Sequence, residues 1–239
     1  MIPVLIAVRA PHSWTGPNVQ VTGGPMGGMD ADSFRESVEA AKRTQLDRLG
    51  SSKLLLALTD ADLSEPAVLR AAAYSEHAAR GTFEAWADDE PDDDARAAFE
   101  ATAAQEAEHL DRVLDALDEE VDLPEEPGVM HAYLRGREDT VERAAAGMVG
   151  RGLVSVRTHT QVIGFFVNEA DEPRADLFRE LKAETEETLA TGLDLLADHC
   201  ETDDDWERAR MVAEYVVQLA YDDYADGLAE LGVDPKPLC

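Results

Sequence analysis

The stretch FEATAAQEAEHLDRVLDAL (residues 99–117) sets Glu106 inside an apolar stripe. The stripe runs Phe99, Ala103, Glu106, Leu110, Val113, Leu117, and its steps of four and three put these residues on one helix face. His109 lies one turn beyond Glu106, so the ExxH spacing offers an oxygen and a nitrogen from the same face. A second seam, Leu69, Ala72, Glu76, Ala79, Phe83, Trp86, also carries a glutamate at its middle. Two interior carboxylates in neighbouring helices cannot both stay charged without a cation, because an unpaired buried charge costs several kcal/mol. A metal ion is one remedy, and carboxylates with an imidazole on facing helices are the ligand supply of metal pairs in four-helix bundles. The other remedy is structural: protonation, or pairing with arginines such as Arg80 and Arg112.

The elements that must position these groups are helical. From residue 31 onward the apolar residues recur with the helical period, and the spacing predicts helices over 31–60, 66–89, 92–118, 138–168, 173–199 and 204–231. Pro66, Pro91 and Pro173 stand at their boundaries, and the acidic runs Asp92 to Asp94 and Asp203 to Asp205 complement the positive ends of the helices they open. Pro124 and Pro127 break the chain between two halves. Segments 57–78 and 165–187 share a helix end, an acidic turn with proline and a new helix, and 92–117 parallels 203–231. The expectation is an all-α antiparallel bundle of six helices in two three-helix repeats. It comprises a first half at 29–118, a linker at 119–137, a diverged second half at 138–231 and a tail at 232–239. Residues 1–28 contain no Asp or Glu and are rich in Gly and Pro, which reads as an upstream extension with Met29 as the start.

AAAYSEHAARGTFEAWAD followed by ARAAFEATAAQEAEHLDRVLDAL resembles the first two bundle helices of rubrerythrins, in the ferritin-like superfamily, over about 50 residues. That resemblance implies a ferritin-like bundle in which Glu76 and Glu106 are bridging or terminal carboxylates of iron and His109 is a terminal nitrogen ligand. It implies one or two iron ions, with manganese or zinc as other occupants, and a redox activity that reduces peroxide or oxygen. The four cysteines of a rubredoxin-type site are absent from the sequence, so electrons would come from a separate donor.

The second half departs from the rubrerythrin pattern. Its 173–199 helix carries Glu184 and Glu187, with Glu184 at the edge of the apolar stripe, Glu187 outward, and Thr185 and Thr188 nearer the middle. The 204–231 helix has no ExxH, although Asp223 falls on the seam Val212, Val216, Leu219, Asp223, Gly227. His159, on the face Met148, Gly152, Val156, His159, Ile163, Phe166, is the other candidate ligand, or a core histidine bonded to a backbone carbonyl. A one-metal or degenerate site fits these departures as readily as a two-iron site. The alternative function is a metal-free ferritin-like scaffold or partner-binding module; an iron-storage cage ranks third. His77, His131 and His199 read as surface residues, and Tyr215, Tyr221 and Tyr224 as core or seam-edge aromatics, or as an electron relay beside iron.

Composition narrows the setting. Fifty-one acidic against twenty-one basic residues give a net charge of −30, resembling proteins of salt-accumulating halophiles, in which salt screens repulsion to about 3 Å. No segment supplies the basic footprint that nucleic acid requires. Cys200 and Cys239 form no disulfide framework, which fits a reducing cytoplasm. No apolar run approaches the ~18 residues of a membrane helix. Apolar helix edges would suit a homodimer.

Overall fold

The computed structural model describes residues 29–117 and 119–235. The expectations for segment 1–28 and for Cys239 lie outside them. Every regular element among the described residues is helical: α1 (Ala31–Ala41), α2 (Arg43–Leu49), α3 (Lys53–Leu58), α4 (Glu65–Asp89), α5 (Asp93–Ala116), α6 (Gly128–Arg135), α7 (Thr140–Arg143), a π-helical segment (Ala144–Gly150), α8 (Arg151–Asn168), α9 (Glu172–His199) and α10 (Asp203–Glu230). No helix among the described residues is long and apolar enough to cross a membrane.

Local chemistry accounts for the long helices. Ser64 accepts from the Ala67 amide and Pro66 sits in the first turn of α4. Asp92 accepts from the amides of Asp94 and Ala95 to open α5, Asp171 caps α9, and Thr202 and Asp205 form a capping box at α10.

The six-helix expectation needs three corrections. The 31–60 helix is broken into α1, α2 and α3, with Lys42 and Gly50 closing the first two pieces, and these short helices pack on α8, α9 and α10. The 119–137 linker contains α6, which docks on α4 and α10. The 138–168 helix is continuous but widens into a π turn, where the i→i+5 hydrogen bonding changes which residues of α7 and α8 share a face. Gly147 allows that turn to press on Trp86, since a Cβ there would come within 2.4 Å of the indole ring. The two halves therefore differ at their first helix, and the twofold repeat is not reproduced.

The frame of the site is a four-helix arrangement in which α4 packs along α5, α8 along α9, and α5 against α9, with α10 laid on the π segment. Its interior is apolar at both ends. One cluster gathers Phe83, Trp86, Phe99, Met148, Leu153 and Leu189 with α1, α2 and α10; the other gathers Leu69, Leu110, Val113, Val162, Phe166 and Phe178. Between them lies a layer of buried polar residues: Glu76, Glu106, His109, Arg151, Ser155, His159, Thr185 and Thr188.

A separate buried ion pair ties α4 to α7. Arg143 donates to Glu90 at 2.9 Å, to Asp89 at 2.7 Å and to the Arg137 carbonyl at 2.9 Å, while Thr140 donates to the other Glu90 oxygen at 2.7 Å. Arg143→Ala strands the Glu90 carboxylate in the interior and is expected to cost about 3–5 kcal/mol. Arg35→Ala, which removes only an exposed i,i+4 pair with Glu39, should cost about 0.5 kcal/mol or less. Urea unfolding of both variants in molar KCl checks the contrast.

Candidate metal centre

The polar layer is built from four helices. α4 contributes Glu76, α5 contributes Glu106 and His109, α8 contributes Arg151 and His159, and α9 contributes Glu184. One ligand atom each from Glu76, Glu106 and His109 lies within 4.8 Å of the others, and all three residues are buried. Glu184 and His159 each bond a member of this group instead of joining it. His109 Nε2 lies 2.6 Å from Glu184 Oε2, and His159 Nε2 lies 3.3 Å from Glu76 Oε1. The helix completing the layer opposite α4 and α5 is thus α8, and His159 meets a carboxylate where a backbone carbonyl was the structural expectation.

A guanidinium also enters the layer. Arg151, 2% exposed, places Nη1 2.9 Å from Glu106 Oε1 and Nη2 3.7 Å from Glu76 Oε2. The arginines named from the sequence lie elsewhere: Arg80 pairs with Glu84, and Arg112 donates to Glu180 and Glu184 on α9. Arg151 was missed because the π turn ends at Gly150 and resets the face of α8, bringing Arg151, Ser155 and His159 inward at steps of four. The one available signal was an arginine eight residues before a candidate histidine, next to the apolar run Gly152 to Val154.

The two acids divide one charge. Burial works against ionising Glu76, but hydrogen bonds from His159 and Glu106 and the charges of His159 and Arg151 outweigh it and hold that carboxyl well below the usual range. Burial pushes Glu106 well above the usual range; Arg151 pulls against this, and the Glu76 charge adds to it. One of the two acids is thus ionised beside the guanidinium while the other keeps its proton. Burial also lowers His109, against the pull of Glu76 and Glu184, so its imidazole is held neutral and ready to accept.

The layer's hydrogen bonding is incomplete. Among the described residues, Glu106 Oε2 and His109 Nδ1 meet no donor or acceptor beyond the proton that Glu106 shares with Glu76. Glu90, the other buried glutamate pair-former of the bundle, has both oxygens engaged by Arg143 and Thr140. An oxygen and a nitrogen lone pair left open on one helix face are the donors that a transition-metal ion takes.

The remaining candidates fall outside the layer. Asp223 is exposed, because α10 buries Val212 and Val216 of the expected seam together with Ala213 and Val217 but turns Tyr224 and Leu228 inward in its last turns. Glu187 is exposed, and Thr185 and Thr188 are buried, as the stripe implies. His131 is not a surface residue: α6 buries it, with Nδ1 3.0 Å from Thr82 Oγ1. The Thr82 hydroxyl donates to the Ala78 carbonyl at 2.8 Å and so accepts from His131.

No protein-family model, curated protein or solved structure matches the chain. The geometry of the layer therefore carries the functional argument.

Burial, with Arg151 and Arg135, lowers His131 from its ordinary 6.5 to about 3. A histidine lowered by folding takes up its proton more readily when unfolded, so its stabilisation is full above 6.5 and drains as pH falls toward 3. Urea unfolding followed across that interval should lose about 1.4 kcal/mol per pH unit from this group. His131→Gln is expected to flatten that part of the slope.

Proposed function

We propose that this bundle is a ferritin-like metalloprotein binding one divalent transition-metal ion through Glu76, Glu106 and His109. The observation that carries the reading is the convergence of those three ligand atoms within 4.8 Å, two of them on residues with an open, buried lone pair. The remaining contacts support it. Glu184 holds His109 Nε2 at 2.6 Å, which fixes the ring and leaves Nδ1 as the ligating nitrogen. A carboxylate on the far nitrogen of a ligating histidine is the usual way such rings are oriented and made more basic. The proton shared by the two acids is what the ion replaces, so metal affinity rises with pH.

Arg151 sets the metal count. Its fixed positive charge stands 2.9 Å from Glu106, where a second dication of a carboxylate-bridged pair would have to sit. The centre is accordingly mononuclear. With the resemblance of α4 and α5 to rubrerythrin helices, iron is the proposed metal, and the proposed activity is reduction of peroxide or oxygen with electrons from a separate donor. Bound iron would supply one-electron ferrous and ferric chemistry. The chain itself supplies a buried site flanked by apolar clusters on two sides, three oriented ligands and a guanidinium that keeps the layer from accumulating negative charge.

The contact that limits the metal count also favours a second reading. Arg151 already neutralises one acid charge, so a metal-free bundle in which the ion pair is structural is the competing description. Elemental analysis after anaerobic ferrous reconstitution in molar KCl separates them. About one metal per chain is expected, falling at least tenfold in Glu106→Ala. Peroxide consumption with an artificial electron donor should fall in parallel. Absence of bound metal in the parent protein overturns the proposal.

A further inference from the structure

His109 is anchored from outside the polar layer. Its Nε2 lies 2.6 Å from Glu184 Oε2, yet the histidine side chain is 1% exposed and the glutamate side chain 37%. A glutamate that reaches solvent is by itself a poor clamp, because water competes for its oxygens and its rotamers are costly to freeze. Glu180, one turn earlier on α9, adds like-charge repulsion at the i,i+4 spacing.

Arg112 offsets both effects. From α5, one turn after His109, its Nη1 donates to Glu184 Oε2 at 3.0 Å and to Oε1 at 3.2 Å, while Nη2 donates to Glu180 Oε2 at 2.6 Å. A single planar guanidinium thus spans two carboxylates of the neighbouring helix and holds the same Glu184 oxygen that meets His109. His109 and Arg112 are three residues apart on α5, so one stretch of helix sets both ends of the contact.

The consequence falls on the imidazole proton. A neutral ring carries one N–H, and a carboxylate bonded to a guanidinium through both oxygens offers acceptors only, so Nε2 must be the donor. Nδ1 then keeps its lone pair, and it is buried with no partner among the described residues. Were Glu184 released to water, nothing on the Nε2 side would select that tautomer. The proton would be free to sit on Nδ1, where it removes the ligating lone pair.

We infer that Arg112 is a positioning residue: through Glu184 it locks His109 in the Nε2–H tautomer and so keeps Nδ1 open toward the acids. Its effect on metal binding rests on the proposed centre, whereas the tautomer is a property of the metal-free chain.

Nitrogen-15 histidine NMR of the chelator-treated full chain, in molar KCl and mildly alkaline buffer, reads the lock directly. His109, assigned by comparison with His109→Gln, is expected as a single Nε2–H tautomer in the parent and as a mixed or reversed one in Arg112→Ala. Cobalt(II) titration against a competing chelator should show about one ion per chain in the parent and binding weaker by about tenfold or more in Arg112→Ala. Arg112→Gln replaces the alanine variant should that not fold. Arg174→Ala is the control, since Arg174 ties α9 to the Ala116 carbonyl at the end of α5 and to Glu65, away from the layer, and it should change neither reading. A mixed tautomer in the parent, an unchanged tautomer or parental cobalt affinity in a folded Arg112 variant, or an equal loss in Arg174→Ala overturns the inference. A parent that binds no cobalt overturns the metal reading instead, and the NMR comparison still decides the lock.

Discussion

The contact between the Arg151 guanidinium and the Glu106 and Glu76 carboxylates is the constraint on which the interior depends. Two acids in facing helices would burst the bundle if both were charged and unpaired, and the apolar clusters on either side offer no water to relieve them. With one guanidinium present, one acid ionises and the other keeps its proton. This arrangement folds without further help, yet it leaves an oxygen and a nitrogen open on α5. The layer thus satisfies the requirement of folding and stops short of full hydrogen bonding, whereas Glu90 and Arg143 satisfy both in the same protein.

Much of the site was legible in the sequence because an ionisable residue inside a regular apolar stripe is a local signal. Glu76, Glu106 and His109 sit where the period of α4 and α5 puts them, and the edge position of Glu184 on α9 is what lets it reach His109 Nε2. The helical spans 66–89, 92–118, 173–199 and 204–231 agree with α4, α5, α9 and α10 to within two residues at each end, since caps and prolines mark their limits.

What escaped was written in tertiary contacts. The π turn before α8 has no apolar period of its own to mark Arg151 as a residue of the interior. Asp223 misled because one-residue drift along α10 carries a position from the seam to solvent while the neighbouring Tyr224 becomes buried. His131 lies in a short helix within a proline-bounded linker, where neither length nor periodicity announces that it will be covered by α4. The break of 31–60 at Lys42 and Gly50 belongs to the same class, because each piece turns to follow the outside of α8 and α10.

The π segment gives the helix room for a change of chain length. A π turn takes up one residue more than the α turn it replaces, so loss of one codon between Ala144 and Gly150 would return the segment to α winding with Arg151 and His159 still turned toward Glu106 and Glu76. Loss of a codon between Gly152 and Thr158, where no wide turn can absorb it, would instead rotate the remainder of α8 by about 100° and carry His159 away from Glu76 while Arg151 kept its place. An indel is therefore tolerated in the wide turn and felt at the acids one turn later.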